Sequence, residues 1–210
     1  MRVEGPDTLL FFLDRTACIE YDAATRRQDM SDNDKTFRAN ASQFFIAGEL
    51  CRRGYSAVVT LGNTPNVDIL CSNKEGTRFV HIQVKTFVPG NRTCSVGTKA
   101  MQPYEESFFW ILGGIPVVGS DKPFEFYIIP ARDMAQQVSR AHNLWLRTPG
   151  KGGRPHQNGK IGIVHLPPQV PMGAWDISHY KGAWHLIEKR LKDASNIRGA
   201  GDRKQPLTGL

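Results

Sequence analysis

The sequence has few cysteines and no long apolar run. Its 210 residues include four cysteines with no CxxC pair among them, namely Cys18, Cys51, Cys71 and Cys94. Neither a disulfide framework nor a cysteine-rich zinc site is expected, so the cytoplasm is the expected compartment. No stretch approaches the roughly 20 apolar residues of a membrane-spanning helix. The apolar run at residues 8–13 is flanked by acidic residues and follows no basic leader, which argues against a secretory signal.

Several familiar catalytic motifs are also missing. The chain has no Walker loop, no GxSxG elbow and no HExxH helix. The sequence therefore does not predict a P-loop nucleotidase, a serine hydrolase of the elbow type or a zinc protease of the HExxH type.

Negative charge is scarce in the C-terminal part of the chain. The whole sequence carries 27 Lys and Arg against 20 Asp and Glu, a net charge of +7. Residues 1–34 contain four basic and eight acidic residues, whereas residues 131–210 contain 13 basic and 5 acidic residues. Such a cationic region favours a polyanionic partner, because binding releases counterions from a phosphate backbone. A soluble basic surface without such a partner accounts for the same numbers.

Composition divides the chain into three parts. Residues 1–29 are acidic and show no sustained apolar period, whereas Met30 begins a polar cluster typical of a helix start. We therefore interpret 1–29 as an extension upstream of the true start at Met30. Residues 30–194 are expected to form a single domain, and the Gly-rich basic tail at 195–210 is expected to be disordered.

Hydrophobic periodicity predicts the order α-β-β-β-(short helix or loop)-β-β-α-β-α. Apolar stripes predict helices at 36–53, 131–147 and 180–191. Alternating or β-rich segments predict strands at 55–61, 67–71, 78–87, 108–115, 124–129 and 160–166. This order is typical of an α/β or α+β domain around a mixed sheet.

The most informative segment lies between residues 62 and 86. Strand alternation places Gln83 and Lys85 on the same face of one predicted strand, and Asp68 interrupts the apolar strand before it. A turn at residues 73–76 allows the two strands to pair, which brings Asp68 beside Gln83 and Lys85. The sequence thus predicts a carboxylate, an amide and an ammonium group at one place.

These three groups suit phosphodiester hydrolysis. Mg²⁺ prefers oxygen ligands, which Asp68 and the carbonyl of Gln83 supply. Such an ion polarises a phosphoryl oxygen and lowers the pKa of bound water, while Lys85 positions the water or stabilises the developing charge. A purely structural ion pair between Asp68 and Lys85 at a strand edge is the alternative.

The segment resembles the PD-(D/E)xK nuclease superfamily, which includes restriction enzymes and Holliday-junction resolvases. Thr64-Pro65-Asn66-Val67-Asp68 stands where that superfamily has its Pro-Asp, and Gln83-Val84-Lys85 stands where it has (D/E)xK. The resemblance covers roughly residues 36–130. With glutamine before the lysine, the sequence is similar to a Gln-x-Lys variant of an uncharacterised bacterial family within this superfamily. It implies a restriction-endonuclease-like αβββαβ core with a C-terminal extension, a Mg²⁺ or Mn²⁺ cofactor and DNA as substrate.

Two positions depart from the superfamily's pattern. Gln83 replaces the acidic residue before the lysine, which predicts weaker metal binding because an amide carries no charge. The glutamate that the superfamily often carries on its first helix falls at Gln43. Glu49 lies six residues later on the same helix and contributes only if the helix is rotated or placed differently. A solvated helix face explains Gln43 and Glu49 equally well.

Basic residues outside the trio are candidates for contacts with a phosphate backbone. Arg92 and Lys99 follow the predicted strand that carries Lys85, and a later loop holds the other three candidates, Lys151, Arg154 and Lys160. That later loop also fits a solvated surface. Trp145, like most aromatic residues of the chain, is expected to pack in the core.

Three functions remain open from the sequence. The first is a metal-dependent DNA endonuclease, and the second is an inactive nucleic-acid-binding module of the same fold, which the amides at 43 and 83 favour. The third is an interaction subunit whose basic tail binds an acidic partner. The sequence predicts no membrane association and leaves the oligomeric state open, so a homo-oligomer is compatible with it.

Overall fold

The computed structural model describes residues 32–60, 65–159 and 161–192. The described residues from Thr36 onward belong to one compact unit. The predicted extension at 1–29, the proposed start at Met30 and the tail at 195–210 lie outside the described residues. The helices are α1 (Asp32–Arg52), α2 (Ala131–Arg147) and α3 (His185–Lys192). The strands are β1 (Ser56–Val59), β2 (Ile69–Ser72), β3 (Phe79–Phe87), β4 (Thr93–Ser95), β5 (Phe108–Gly114), β6 (Glu125–Pro130) and β7 (Ile163–His165).

Five of these strands form one mixed sheet in the order β1-β2-β3-β5-β6. β3 and β5 run parallel, whereas the other neighbouring pairs are antiparallel. β4 and β7 form a separate antiparallel pair, with Cys94 opposite Val164. The parallel β3–β5 pair requires a crossover, which residues 88–107 provide.

A tight turn sets the register between β2 and β3. The side chain of Asn73 accepts hydrogen bonds from the backbone N–H groups of Thr77 and Arg78 at 2.8 and 3.0 Å. Gly76 completes the turn with a φ of 65°, which a glycine adopts without a steric penalty. The resulting ladder places Ile69 opposite Ile82.

Each face of the large sheet carries its own apolar cluster. Side chains of β3 alternate between the faces, so that Val80, Ile82 and Val84 pack with residues of α1 and α3. Phe87 belongs to the other cluster, which contains Trp110 and Leu112 of β5 together with Met134 and Val138 of α2. Both faces of the sheet are therefore covered, which is typical of a sheet with a parallel strand pair.

The predicted α/β or α+β fold class is confirmed. The first three strands, the two strands after the crossover and the three helices occur in the predicted order. The crossover, predicted as a short helix or loop, contains a 3₁₀ helix at Thr98–Met101 and, in addition, the strand β4 that was not predicted. The last helix begins at His185 rather than at residue 180, since residues Ser178–Tyr180 form a separate 3₁₀ turn.

None of the helices in the described ranges is both long enough and apolar enough to cross a bilayer.

Candidate active site

Asp68 lies immediately before β2 rather than within it. Its backbone N–H still donates to the carbonyl of Ile82 at 2.9 Å, and its own carbonyl accepts the N–H of Thr60 at 2.9 Å. These bonds continue the sheet ladder by one residue beyond Ile69. Asp68 therefore sits opposite Gln83, as the sequence predicts.

The side chains of Asp68 and Gln83 are in direct contact. Gln83 Nε2 donates a hydrogen bond to Asp68 Oδ2, and the backbone N–H of Val84 donates to the same oxygen at 2.6 Å. Gln83 therefore presents its nitrogen to the carboxylate, because its carbonyl oxygen would be repelled there.

Lys85 approaches this carboxylate without pairing with it. Lys85 follows Gln83 by two residues on β3 and is half-buried on the same face. Among the described residues, no ion pair within 4.0 Å joins its Nζ to a carboxylate, and no hydrogen bond satisfies it. The structural ion pair that competes with a functional role for these residues is therefore not formed.

The charge of Lys85 nevertheless acts on the Asp68 carboxyl. Burial raises the pKa of Asp68 above its ordinary value, while the Val84 N–H, the charge of Lys85 and the Gln83 amide oppose that rise. Burial likewise raises the pKa of the Cys94 thiol to about 12, and Lys85 again opposes the shift. Lys85 thus lies near both Asp68 and β4, and Cys94 stays a neutral thiol at physiological pH.

Two further polar atoms of this region lack partners. Asn66 Oδ1 is buried and accepts no hydrogen bond from the described residues. Trp110 Nε1 is also buried, and its N–H donates no hydrogen bond to the described residues. Asn66 precedes Asp68 by two residues, and Trp110 is paired with Gln83 in the β3–β5 register. Buried polar atoms without partners cost free energy, so these two are candidates for ligand contacts.

Sequence reasoning did not single out either residue for such a role. The φ of 63° at Asn66 is a conformation that asparagine tolerates better than most residues, and the turn motif hints at it. The position of Trp110 follows only from the pairing of β5 with β3, which no local pattern specifies.

The oxygen atoms of this region suit a hard divalent cation. Both hydrogen bonds to Asp68 reach Oδ2, and the amide of Gln83 that contacts it also carries a neutral carbonyl oxygen. Asn66, two residues before Asp68 in the chain, has a buried carbonyl oxygen without a described hydrogen-bond partner. Mg²⁺ is bound by such oxygens together with water. The described residues contain no group of three His, Cys, Asp or Glu side chains suited to a metal. A metal here would therefore depend on one carboxylate and several neutral ligands.

The helix candidates Gln43 and Glu49 do not join this group. α1 packs on the opposite face of the sheet. The contact there is close, because a Cβ atom added to Gly113 of β5 would lie only 2.1 Å from the hydroxyl oxygen of Ser42. Glu49 instead binds Arg52 at 2.7 Å and Arg53 at 2.8 Å. These arginine contacts lower the pKa of the Glu49 carboxyl, with the hydrogen bond from Arg52 as the largest cause.

The predicted phosphate-binding residues lie on two exposed segments. Arg92 and Lys99 are exposed on the crossover, whose residues Cys94, Val96 and Ala100 are buried against the face that carries Gln83. Arg154 is exposed after a short 3₁₀ helix that begins at Lys151. Lys160 lies outside the described residues.

The chain matches no protein-family model and no curated protein. Among solved structures, that of a bacterial homing endonuclease, I-Ssp6803I, is similar to this chain. The TM-score is 0.45 and the sequence identity is 14%, over 74% of this chain and 92% of that chain.

Proposed function

We propose that this protein is a metal-dependent nuclease that hydrolyses phosphodiester bonds of DNA. The observation that carries the proposal is the half-buried Lys85, which stands near Asp68 but pairs with no described residue. A half-buried cation without a partner among the described residues favours the binding of an anionic ligand beside it. A phosphate group would be the negatively charged partner that Lys85 lacks among the described residues.

Asp68 and Gln83 would hold the metal, Mg²⁺ or Mn²⁺, with Asn66 as a further oxygen donor. When bound, the ion polarises a phosphoryl oxygen and lowers the pKa of its bound water. The amide of Gln83 must rotate before its carbonyl can join Asp68 at the metal, since its nitrogen now faces the carboxylate. Asp68 must be ionised to bind the ion, so activity is expected to increase as pH passes upward through its raised pKa.

Lys85 acts on the reacting phosphate and water. Its Nζ donates hydrogen bonds to a non-bridging oxygen and to the attacking water, which holds that water in line with the bond to be broken. As the water oxygen bonds to phosphorus, the water gives up a proton to solvent and negative charge builds on the phosphate oxygens. The bond to the leaving sugar oxygen breaks, and that oxygen takes a proton from solvent. The positive charge of Lys85 stabilises the transition state more than the ground state, which is the requirement for catalysis.

A cleavage assay tests the proposal directly. The purified protein is incubated with supercoiled plasmid and linear DNA in Mg²⁺, in Mn²⁺ and in excess chelator, alongside Asp68→Ala and Lys85→Ala. We expect metal-dependent cutting that falls at least about 100-fold in each variant. Glu188→Ala and Lys189→Ala make the same charge changes on α3, against the other face of the sheet, and should cut like the wild type.

The second candidate function is a nucleic-acid-binding module without catalysis. The single carboxylate at the site and the uncharged Gln83 favour it. Salt-sensitive DNA binding with no cutting in any metal would support this module and would overturn the nuclease. Cutting that persists undiminished in both Asp68→Ala and Lys85→Ala would place the activity elsewhere.

A further inference from the structure

A second region of the molecule has the features of a nucleobase site. The C-terminal half of α2 and strand β7 enclose a pocket of about 300 Å³, which we call the Trp145 groove. It is lined chiefly by apolar side chains, including Val138, Ala141, Trp145 and Ile163. Trp145 is 44% exposed and Ile163 is 46% exposed, so the expected packing role of Trp145 is wrong.

The Trp145 ring is held in place by aromatic contacts. The imidazole of His156 stacks on it, with ring centroids 4.1 Å apart and planes inclined by 20°. His142 lies 5.8 Å away, and its Nε2 contacts Asn158 Oδ1 at 3.0 Å. His156 thus covers one face of the ring, and the part of Trp145 that stays exposed is the oriented aromatic surface on which an unpaired base can stack.

The chain segment that forms most of the groove is cationic. Residues 134–175 contain no Asp or Glu, and their five Lys and Arg residues are Arg140, Arg147, Lys151, Arg154 and Lys160. Arg140 lines an adjoining pocket together with Trp145, and Asp176 is the one carboxylate among the described residues that line that pocket. Arg140, Arg147 and Arg154 are exposed. Exposed arginines on the segment that carries an aromatic platform complement a single-stranded nucleic acid, because phosphates meet the cations while bases meet the ring.

We propose that the Trp145 groove binds an unpaired nucleotide of a nucleic-acid strand, with its base on Trp145 and its phosphates near Arg140, Arg147 and Arg154. The proposal rests on the proposed function only in taking nucleic acid as the ligand. The bases of an intact duplex are already stacked on one another and cannot cover Trp145. The groove therefore favours single strands, overhangs or extruded bases over a continuous duplex.

Binding measured without metal tests this groove separately from cleavage. The full chain is titrated in chelator against a labelled 12-nucleotide oligo-dT strand and a blunt duplex of the same length. We expect Trp145→Ala to weaken single-strand binding at least about tenfold and to change duplex binding less than about twofold. Trp145→Phe retains an aromatic face and should restore most of the affinity.

Controls separate stacking from general effects. Phe44→Ala removes another exposed aromatic ring, 65% exposed on α1, and should bind both ligands like the wild type. Arg154→Ala should weaken both ligands and reduce the salt dependence. Unfolding midpoints of all variants verify that each protein is folded.

The outcomes distinguish the two proposals. If Trp145→Ala binds the single strand with an affinity within twofold of the wild type, the proposed role of the Trp145 groove is wrong, even if the wild type cuts DNA. A protein that binds oligo-dT through Trp145 but cuts nothing supports the groove and defeats the nuclease. Self-association through the groove without nucleic-acid binding also overturns it.

Discussion

The two faces of the five-stranded sheet use the same strand in different ways. On the face covered by α1 and α3, β3 contributes Val80, Ile82 and Val84 to a continuous apolar cluster. On the face covered by α2, the same strand contributes Gln83 and Lys85 beside Trp110 and Leu112. From Val80 to Lys85 this strand thus supplies core on one side and polar chemistry on the other, and Phe87 then joins the apolar cluster on the α2 face.

The difference between the faces also separates stability from function. Asp68 is stabilised by two hydrogen bonds that offset part of its desolvation, whereas Lys85 has no described partner. The polar groups on the α2 face therefore cost folding free energy, which the apolar clusters on the two faces of the sheet must offset. Substitutions of Val80, Ile82 or Val84 should therefore lower mainly stability, whereas substitutions of Gln83 or Lys85 should affect mainly function.

The largest effect is expected from Ile82→Ala. Ile82 is fully buried in the cluster against α1 and α3, so the variant should lose about 2 to 5 kcal/mol of unfolding free energy. Urea denaturation measures this loss. The adjacent Gln83→Ala should cost less, because Gln83 is only half-buried. Equal losses at the two positions would show that the faces do not differ as described.

Gln83→Glu should tighten metal binding. A second carboxylate beside Asp68 adds charge to the ligand set, and we expect Mg²⁺ affinity at pH 8 to rise about tenfold. Isothermal titration with Mg²⁺ measures the change. The same substitution at the exposed Gln136 of α2 is the control and should leave the affinity unaltered. If Gln83→Glu and Gln136→Glu bind Mg²⁺ with the same affinity, Gln83 is not part of the metal site.

Asp68→Asn should change the pH dependence of stability. The pKa of Asp68 is raised in the folded state, so its contribution to stability is fully present below the unfolded-state pKa and is lost as pH rises through the folded-state pKa. The asparagine variant lacks this loss. Its stability relative to wild type should therefore increase from pH 4 toward pH 7 in thermal melts. A relative stability that decreases over that range would mean that the pKa is lowered instead.

The smallest effect is expected from Glu49→Gln. Glu49 contacts Arg52 and Arg53 near the protein surface, where ion pairs contribute little. Stability should change by an amount near the error of a thermal melt, and plasmid cleavage should continue at the wild-type rate. A large fall in cleavage would instead show that α1 reaches the site and supplies its second carboxylate.

Local patterns account for much of the site. The turn residues Asn73 and Gly76 and the alternation along β3 specify the hairpin, and the predicted proximity of Asp68 and Gln83 is confirmed. What alternation could not show is whether Lys85 pairs with Asp68. Whether these two side chains form an ion pair depends on their exact distance and orientation, which the sequence pattern does not specify.

The remaining features depend on contacts between distant segments. β4 and β7 have three residues each and lie about 70 residues apart, so neither shows a recognisable alternation by itself. The exposure of Trp145 was missed for a related reason. The apolar stripe of α2 continues past the point where Met134 and Val138 reach the core, and periodicity does not reveal where packing stops.

The pairing of β4 with β7 has a consequence for biosynthesis. β4 belongs to the crossover that follows β3, and within the described residues its sheet partner is β7 (Ile163–His165). A nascent chain that has not yet released β7 from the ribosome already contains Asp68, Gln83 and Lys85 but lacks the strand that pairs with β4. We therefore expect the crossover to fold late in synthesis, and C-terminal truncations that remove β7 to impair the candidate site upstream.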